Sequence, residues 1–247
     1  MASLTPVCPP QEPVSIIFLD VDGVLFSEIS PSTKAKIIKK INELFEKKGG
    51  GFTKMEWGIA QSHFFSKAAV GNLMKLIERV SKVSRVVIVI SSSWKLAGTV
   101  EELRDRIFAI APFSKLIIDK IPANDEQRKE KGETPLSPIA KQKYGFILEA
   151  RGEQIDFWLR ENYDKVPIKS FVILDDQDDG ISERYPHNFV SIKQLLSEAD
   201  VDKAYKILTE SLFSPEMFPS EDAVAKALIA QYEEETREIR TVGCTIL

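Results

Sequence analysis

The amino-acid sequence predicts an α/β fold, a three-layer Rossmann-like parallel sheet with a small cap insertion and a C-terminal helical extension. Apolar runs rich in β-branched residues recur at about 14–20, 85–90 and 170–174, and such runs are typical of strands buried on both faces. Segments whose apolar residues repeat at helical spacing lie between them. Strands that alternate with helices indicate a parallel sheet, and ligands bind beyond the carboxyl ends of its strands.

The first part of the chain leads into this sheet. Residues 1–13 carry four prolines, and we expect them to form a flexible leader before the first strand at about 14–20. A helix is predicted over 32–48, where isoleucines and leucines recur at helical spacing. Residues 50–66 are irregular and aromatic, and a second helix is predicted over 67–82.

The rest of the chain continues the alternation of strands and helices. The predicted elements are, in chain order, a strand at 85–90, a helix at 99–110, a short strand at 116–118, a polar loop at 122–138, a helix at 151–162, strands at 170–174 and 189–192, and helices at 200–212 and 220–240. We therefore predict a core domain over 14–210 and a helical extension over 211–247.

The composition narrows the class of protein. A hydrophobic content of 43% and a charged content of 28% are typical of a soluble globular chain, and 247 residues allow one large domain or a core with a small addition. The net charge of -4 disfavours nucleic acid as a partner. Cys8 and Cys244 are too few and too distant to predict a disulfide framework. No signal-peptide pattern follows Met1, so we expect a cytoplasmic protein.

An aspartate pair, Asp20-Val21-Asp22-Gly23, follows the first apolar run. Carboxylates at the end of a buried strand are costly unless the site needs negative charge. The step of two places both side chains on one face of an extended backbone, and Gly23 allows a sharp turn. An ionised Asp20 needs no partner base to act as a nucleophile on phosphorus. A Mg²⁺ ion would remove its repulsion from an anionic phosphate.

Two further strand ends can complete this chemistry. Ser91 follows the second apolar run, and its hydroxyl can bind a phosphoryl oxygen. Asp175 and Asp176 follow a later run, and one of them, with Asp20 and the Asp22 carbonyl, can bind Mg²⁺ through oxygen. Asp22 could protonate the leaving oxygen and then activate the hydrolytic water. A cation that balances the phosphate charge is still required.

These motifs resemble the haloacid dehalogenase (HAD) superfamily, with D-x-D-G at Asp20–Gly23, a serine at Ser91 and an acidic pair at Asp175-Asp176. The resemblance covers about residues 13–210 and implies a Mg²⁺-dependent phosphatase with an aspartyl-phosphate intermediate. It also implies a third motif, a single lysine or arginine. We assign this role to Arg151, with Lys143 and Lys95 as alternatives.

Finer marks resemble the HAD domains of RNA-repair proteins. They are the runs Ser91-Ser92-Ser93-Trp94-Lys95, Arg151-Gly152-Glu153 and Val172-Ile173-Leu174-Asp175-Asp176. Within the first run, we expect Ser92 and Lys95 to bind substrate. Some HAD-type bacterial effector phosphatases that act on phosphotyrosine are similar in layout, which implies a phosphoprotein substrate. The family inserts caps after the first or third strand. Residues 27–66 fit a small cap after the first, which implies a macromolecular substrate.

The last four residues, Cys244-Thr245-Ile246-Leu247, fit a C-a-a-X prenylation motif. A terminal leucine favours geranylgeranylation of Cys244 and attachment to a membrane. Prenylation needs eukaryotic enzymes, so the motif predicts either a eukaryotic protein or a bacterial effector delivered into a host cell.

The residues therefore predict a Mg²⁺-dependent phosphatase that acts on a phosphoprotein. One alternative is a nucleotide or RNA-end phosphatase, which the acidic balance and the lack of a basic, aromatic strip disfavour. The other is a membrane-attached interaction module without turnover, which the intact pair of Asp20 and Asp22 disfavours. The oligomeric state stays open.

Overall fold

A computed structural model describes residues 12–26, 65–109 and 111–220, together with the isolated positions 39, 43 and 223. Most of the predicted leader and cap lie outside these residues, as do the extension beyond 220 and Cys244. Among the helices that the structure describes, none combines the length and the apolar character needed to span a bilayer.

The described residues form one sheet of five parallel strands. The strands are β1 (Val14–Leu19), β2 (Arg85–Ile90), β3 (Ile117–Lys120), β4 (Ile168–Asp175) and β5 (Phe189–Ser191). Their spatial order is β3-β2-β1-β4-β5, so β1 is central and pairs with β2 and β4. The predicted parallel α/β sheet is confirmed.

The central strand is buried on both faces, as its unbroken apolar run predicts. Ile17 and Leu19 pack into one hydrophobic cluster, whereas Ile16 and Phe18 pack into another on the opposite face. Helices cover each face, and the protein core therefore has the three layers that the sequence predicts.

The helices that flank the sheet have the following bounds. They are α1 (Lys67–Val80), α2 (Val100–Glu102), α3 (Asp125–Glu130), α4 (Ser137–Tyr144), α5 (Arg151–Asn162), α6 (Ile181–Arg184) and α7 (Glu198–Glu210). Short 3-10 turns occur at Ser93–Leu96, Ser114–Leu116 and Pro215–Met217. Helix α2 continues as a π-helical segment over Leu103–Ile107, where the predicted helix at 99–110 was expected to be regular.

The prediction of a loop over 122–138 was wrong in part, because α3 and the start of α4 lie within it. The Asn124 side chain accepts a hydrogen bond from the Gln127 amide, and the Gln127 side chain accepts one from the Asn124 amide. This reciprocal cap stabilises a short, fully polar helix that has no apolar periodicity to reveal it.

The strand register aligns the predicted site residues. Leu19 pairs with Ile90 on one side and with Leu174 on the other. Beyond these pairs, the Asp20 amide donates to the Leu174 carbonyl, and the Ser91 amide donates to the Leu19 carbonyl. Because the three strands end at the same level, the side chains that follow them meet at one edge of the sheet.

Helix α5 begins against the loop that follows β4. The Arg151 amide donates to the Asp179 carboxylate over 3.1 Å, and the Gly152 amide donates to the Asp179 carbonyl over 3.0 Å. A Cβ atom at Gly152 would lie 2.0 Å from the Gly180 carbonyl oxygen. This position therefore requires glycine, and the close approach places Arg151 at the edge of the sheet.

Replacement of Gly152 by alanine should force the helix away from the loop and destabilise the protein. The new methyl group would collide with the Gly180 backbone, and overpacking of this kind costs about 1–3 kcal/mol. Gly71→Ala is the matched control, because a Cβ there meets nothing within 4 Å in helix α1. We expect it to be neutral or stabilising by up to ~1 kcal/mol. Equal unfolding free energies for the two variants, measured by urea denaturation, would contradict this packing.

Candidate active site

The carboxylate of Asp20 lies at the end of the central strand and is almost completely buried, with 3% of the residue exposed. The Arg151 guanidinium approaches it, with Nη1 3.4 Å from Oδ1. The same nitrogen lies 2.5 Å from Oδ2 of Asp175, which is fully buried at the end of β4. Arg151 thus bridges the two carboxylates that the register brings side by side.

Burial sets the protonation of these groups. It raises the pKa of Asp20, and the charge of Asp175 adds to this effect, while Arg151 and a hydrogen bond from Ser92 oppose it. Burial also raises the pKa of Asp175, against the pull of Arg151. For Arg151, burial opposes the charge, but the carboxylates of Asp175 and Asp20 outweigh it and raise the pKa above its usual value. The site lacks enough positive charge for both buried carboxylates to ionise easily.

A metal ion would supply that charge. Asp20, Asp175 and Asp176 each offer a carboxylate oxygen, and these oxygens lie within 4.8 Å of one another. The Asp176 side chain lies over Gly23, where a Cβ would be 2.1 Å from Oδ2, and Gly23 has a positive φ of 73°. A set of oxygen ligands on rigid strand ends fits Mg²⁺. The Asp22 side chain is outside this group of carboxylates. Binding of Mg²⁺ by the backbone carbonyl of Asp22 stays a prediction.

The segment Ser91–Lys95, which follows β2, distributes its side chains over this site. Ser91 is fully buried, and its hydroxyl has no hydrogen-bond partner among the residues described. The Ser92 side chain lies near enough to Asp20 to lower its pKa, and its hydroxyl caps the 3-10 turn by accepting from the Trp94 amide. An unpaired buried hydroxyl calls for a partner, and a phosphoryl oxygen would serve for Ser91.

Asp22 lies on the turn after Asp20 and is held by the same segment. The Trp94 indole donates from Nε1 to Oδ1 of Asp22 over 2.9 Å. The Ser93 hydroxyl donates to Oδ2 over 3.3 Å. The two aspartates of the pair therefore have different surroundings, with Asp20 buried beside Arg151 and Asp22 half-buried beside an indole.

Lys95 is a second cation at the site. Only 5% of the residue is exposed, and Nζ donates to Oε1 of Gln154 over 2.5 Å. Burial, with the nearby charge of Arg151, lowers the pKa of Lys95 to about 7, while Asp179, Asp20 and Asp175 oppose this effect. Lys95 is therefore near enough to the carboxylates to contribute charge at the site.

The structure separates the candidates for the third motif. Lys143 pairs with Glu161 near the C-terminal end of α5, whereas Arg151 begins that helix at the edge of the sheet. Arg151 contacts Asp20 and Asp175, so its guanidinium lies beside the predicted nucleophile, and its role as the third-motif cation stays a prediction.

Some residues of the site were missed by sequence reasoning. Trp94 was only part of a motif, and Gln154 was one polar residue on an amphipathic helix. Asp179, which follows the acidic pair after β4, was assigned no role from the sequence, but it holds the start of α5. The signal that could have found Gln154 is its spacing, because it lies one helical turn after Arg151 and shares its face.

Comparisons with known proteins agree with this geometry. The family described as the HAD domain in Swiss Army Knife RNA repair proteins matches residues 16–201. The match includes every strand end described above. Searches among curated proteins and among solved structures found no match.

The raised pKa of Asp20 predicts that metal-free protein loses stability as the pH rises. Folded protein binds this proton up to about pH 8, whereas the unfolded chain releases it near 3.8. Asp175, with a pKa of about 6, acts in the same direction. The lowered pKa of Lys95 has the opposite effect on stability above about pH 7, because the folded protein then buries a neutral amine. In chelator, the melting temperature should therefore fall from about pH 5 to about pH 7, and Asp20→Asn should reduce the slope.

Added Mg²⁺ should raise the melting temperature, and by more at pH 7 than at pH 5, because only ionised carboxylates bind the ion. Asp178→Asn is the control, since this exposed carboxylate accepts from Ser182 and lies outside the metal-binding group. It should respond to Mg²⁺ as the wild type does. Identical melting curves of the wild type in chelator and in Mg²⁺ would rule out the shared site.

Proposed function

The chain belongs to the family of HAD domains found in Swiss Army Knife RNA repair proteins, and from this we propose that it is a Mg²⁺-dependent phosphohydrolase that acts through an aspartyl-phosphate at Asp20. The proposal rests on the carboxylates of Asp20, Asp175 and Asp176, which lie close together. Arg151 contacts the first two of them. Binding of a phosphate needs cations and a metal, and the site provides positions for both.

In the first step, an oxygen of the Asp20 carboxylate attacks phosphorus. The bond from phosphorus to the leaving oxygen breaks, and Asp22 donates its proton to that oxygen. Arg151 balances charge on the phosphoryl oxygens, and the Ser91 hydroxyl donates to one of them. The products are the free alcohol, a phosphorylated Asp20 and an ionised Asp22.

In the second step, water attacks phosphorus of the aspartyl-phosphate. Asp22 accepts a proton from the water, and the bond from phosphorus to the Asp20 oxygen breaks. Inorganic phosphate leaves, and Asp20 is again a carboxylate with Asp22 protonated. When bound at Asp20, the Asp22 carbonyl and Asp175 or Asp176, Mg²⁺ would supply charge that offsets the repulsion between carboxylate and phosphate.

The two buried basic residues, Arg151 and Lys95, have different contacts, which supports different roles for them in substrate binding. Arg151 contacts the carboxylates directly, whereas Lys95 is held by Gln154. We assign Ser92 and Lys95 to substrate binding, where a protonated Lys95 would attract a phosphate dianion. Lys95 would then be a second positive charge that binds the phosphate, in addition to Arg151.

Two substrate classes have support. The similarity in layout to HAD-type effector phosphatases supports a phosphoprotein, with phosphotyrosine as one candidate, and the net charge of -4 disfavours nucleic acid. The family match favours a terminal phosphate on RNA, or a nucleotide, because the relatives are described as RNA repair proteins. A module that binds without turnover has less support, because the pair of Asp20 and Asp22 is intact.

Membrane attachment through a prenylated Cys244 also remains a proposal, with the chain otherwise cytoplasmic. It is supported by the C-terminal motif alone. Fractionation of eukaryotic cells that express the wild type or Cys244→Ser tests it, and equal membrane fractions for the two proteins would reject it.

The Asp20→Asn variant should lose phosphatase activity by roughly 10³-fold or more, because an amide is a poor nucleophile. The measurement is release of phosphate from an aryl phosphate with and without Mg²⁺. Asp178→Asn, outside the catalytic group, should retain activity and controls for the general loss of negative charge. Full activity in Asp20→Asn would exclude the aspartyl-phosphate.

The substrate class is tested with a panel of phosphotyrosine peptides, nucleotides and RNA with a terminal phosphate. Highest kcat/KM on a phosphopeptide would support the first class. Preference for the RNA end or the nucleotide would support the second. Mg²⁺-independent hydrolysis of every substrate would contradict the proposed chemistry.

A further inference from the structure

We propose that Trp94 is a positioning residue, which acts through Asp22 and holds its carboxylate where the proton must be exchanged in both steps. The inference rests on the proposed function, because it requires Asp22 to carry that proton. It adds a role for the indole of the Ser91–Lys95 run, to which no function was assigned above.

The contact is direct. Trp94 donates from Nε1 to Oδ1 of Asp22 over 2.9 Å, which is an ordinary distance for a good N–H···O hydrogen bond. Ser93 donates to the other carboxylate oxygen over 3.3 Å. Both oxygens of Asp22 are therefore contacted from one short segment, and this fixes the plane of the carboxylate.

The direction of the indole N–H is fixed in turn by an aromatic cluster. Trp94 is buried, and its ring stacks on Phe26 with centroids 5.6 Å apart and an interplanar angle of 7°. Phe108 contacts the ring at 6.0 Å, and Phe65 packs on Phe26 at 4.3 Å. Phe26 also forms an isolated bridge with the backbone of Asp22. The aromatic cluster and the turn that carries Asp22 are thus packed together on both sides of this hydrogen bond.

Positioning matters more for Asp22 than for Asp20. Asp20 is held by burial and by Arg151, whereas Asp22 is half-buried on a turn. A group that transfers protons must stay within hydrogen-bond reach of the leaving oxygen and later of the water. A displacement of about 1 Å can cost roughly 10²-fold in rate. A rigid indole donor supplies this restraint.

A buried indole N–H usually has a hydrogen-bond acceptor, whatever its function. The bond from Trp94 to Asp22 is therefore compared with a second indole–carboxylate bond in the same protein. Trp158 provides one, because its Nε1 donates to Oδ2 of Asp119 over 2.7 Å. Its ring packs against Phe18, and Asp119 lies on the edge strand β3. Trp158→Phe therefore removes a similar indole–carboxylate bond that has no part in the proposed chemistry.

The experiment compares Trp94→Phe with Trp158→Phe, because phenylalanine keeps a ring and removes the N–H. Each protein is mixed with Mg²⁺ and either an aryl phosphate or an alkyl phosphate, and phosphoenzyme is trapped by acid quenching. Departure of an activated aryl group needs little help from an acid, but hydrolysis of the phosphoenzyme always needs the base. Trp94→Phe should accumulate phosphoenzyme on the aryl substrate, and its kcat on the alkyl substrate should fall by about tenfold or more.

A double-mutant cycle tests whether Trp94 acts through Asp22. In an Asp22→Asn background, Trp94→Phe should cause little further loss, because the group that it positions has already lost its function. Thermal melting of all variants separates this effect from a loss of folded protein. Trp158→Phe should accumulate no more phosphoenzyme than the wild type does.

Three outcomes would overturn the inference. They are wild-type kinetics in Trp94→Phe, equal losses on both substrates without accumulated phosphoenzyme, and multiplicative losses in the double mutant. If the wild type itself hydrolysed no phosphate ester, the proposed function would fall and this inference with it. If the wild type is active but Trp94→Phe shows none of the predicted defects, this inference alone would fall.

Discussion

The structure depends on one electrostatic constraint, which is the burial of two carboxylates at adjacent strand ends. Asp20 follows β1 and Asp175 is the last residue of β4, and the parallel register leaves them side by side in a place with little access to water. Ionised carboxylates in such a place repel each other and lose hydration. Positive charge must therefore come to this edge of the sheet, and several features of the fold serve that need.

Helix α5 provides one such charge. Its start is fixed against the loop after β4 by Asp179 and by the close approach of Gly152 to Gly180, so Arg151 emerges beside both carboxylates. Lys95 provides another from the segment after β2, and it donates a hydrogen bond to Gln154, one turn farther along α5. The two cations thus come from different elements of the fold.

The sequence predicts the parts of this arrangement that depend on periodicity. The strands at 14–20, 85–90 and 170–174 were found because buried parallel strands are continuous apolar runs, and their ends identified Asp20, Ser91 and Asp175. Helix α3 was missed because a short polar helix with a reciprocal cap has no apolar stripe. The contacts of Trp94 and Gln154 depend on how separate segments pack, and spacing along the chain does not contain that information.

The central claim is that the buried carboxylates remain partly protonated until a cation binds to them. The direct measurement is calorimetric titration of Mg²⁺ into metal-free wild type near pH 7, in two buffers that differ in ionisation enthalpy. Because the pKa of Asp20 is raised to about 8, we predict that Mg²⁺ binding releases close to one proton per protein, and that Asp20→Asn releases far less. Mg²⁺ binding by the wild type without proton release, or no binding, would contradict the account.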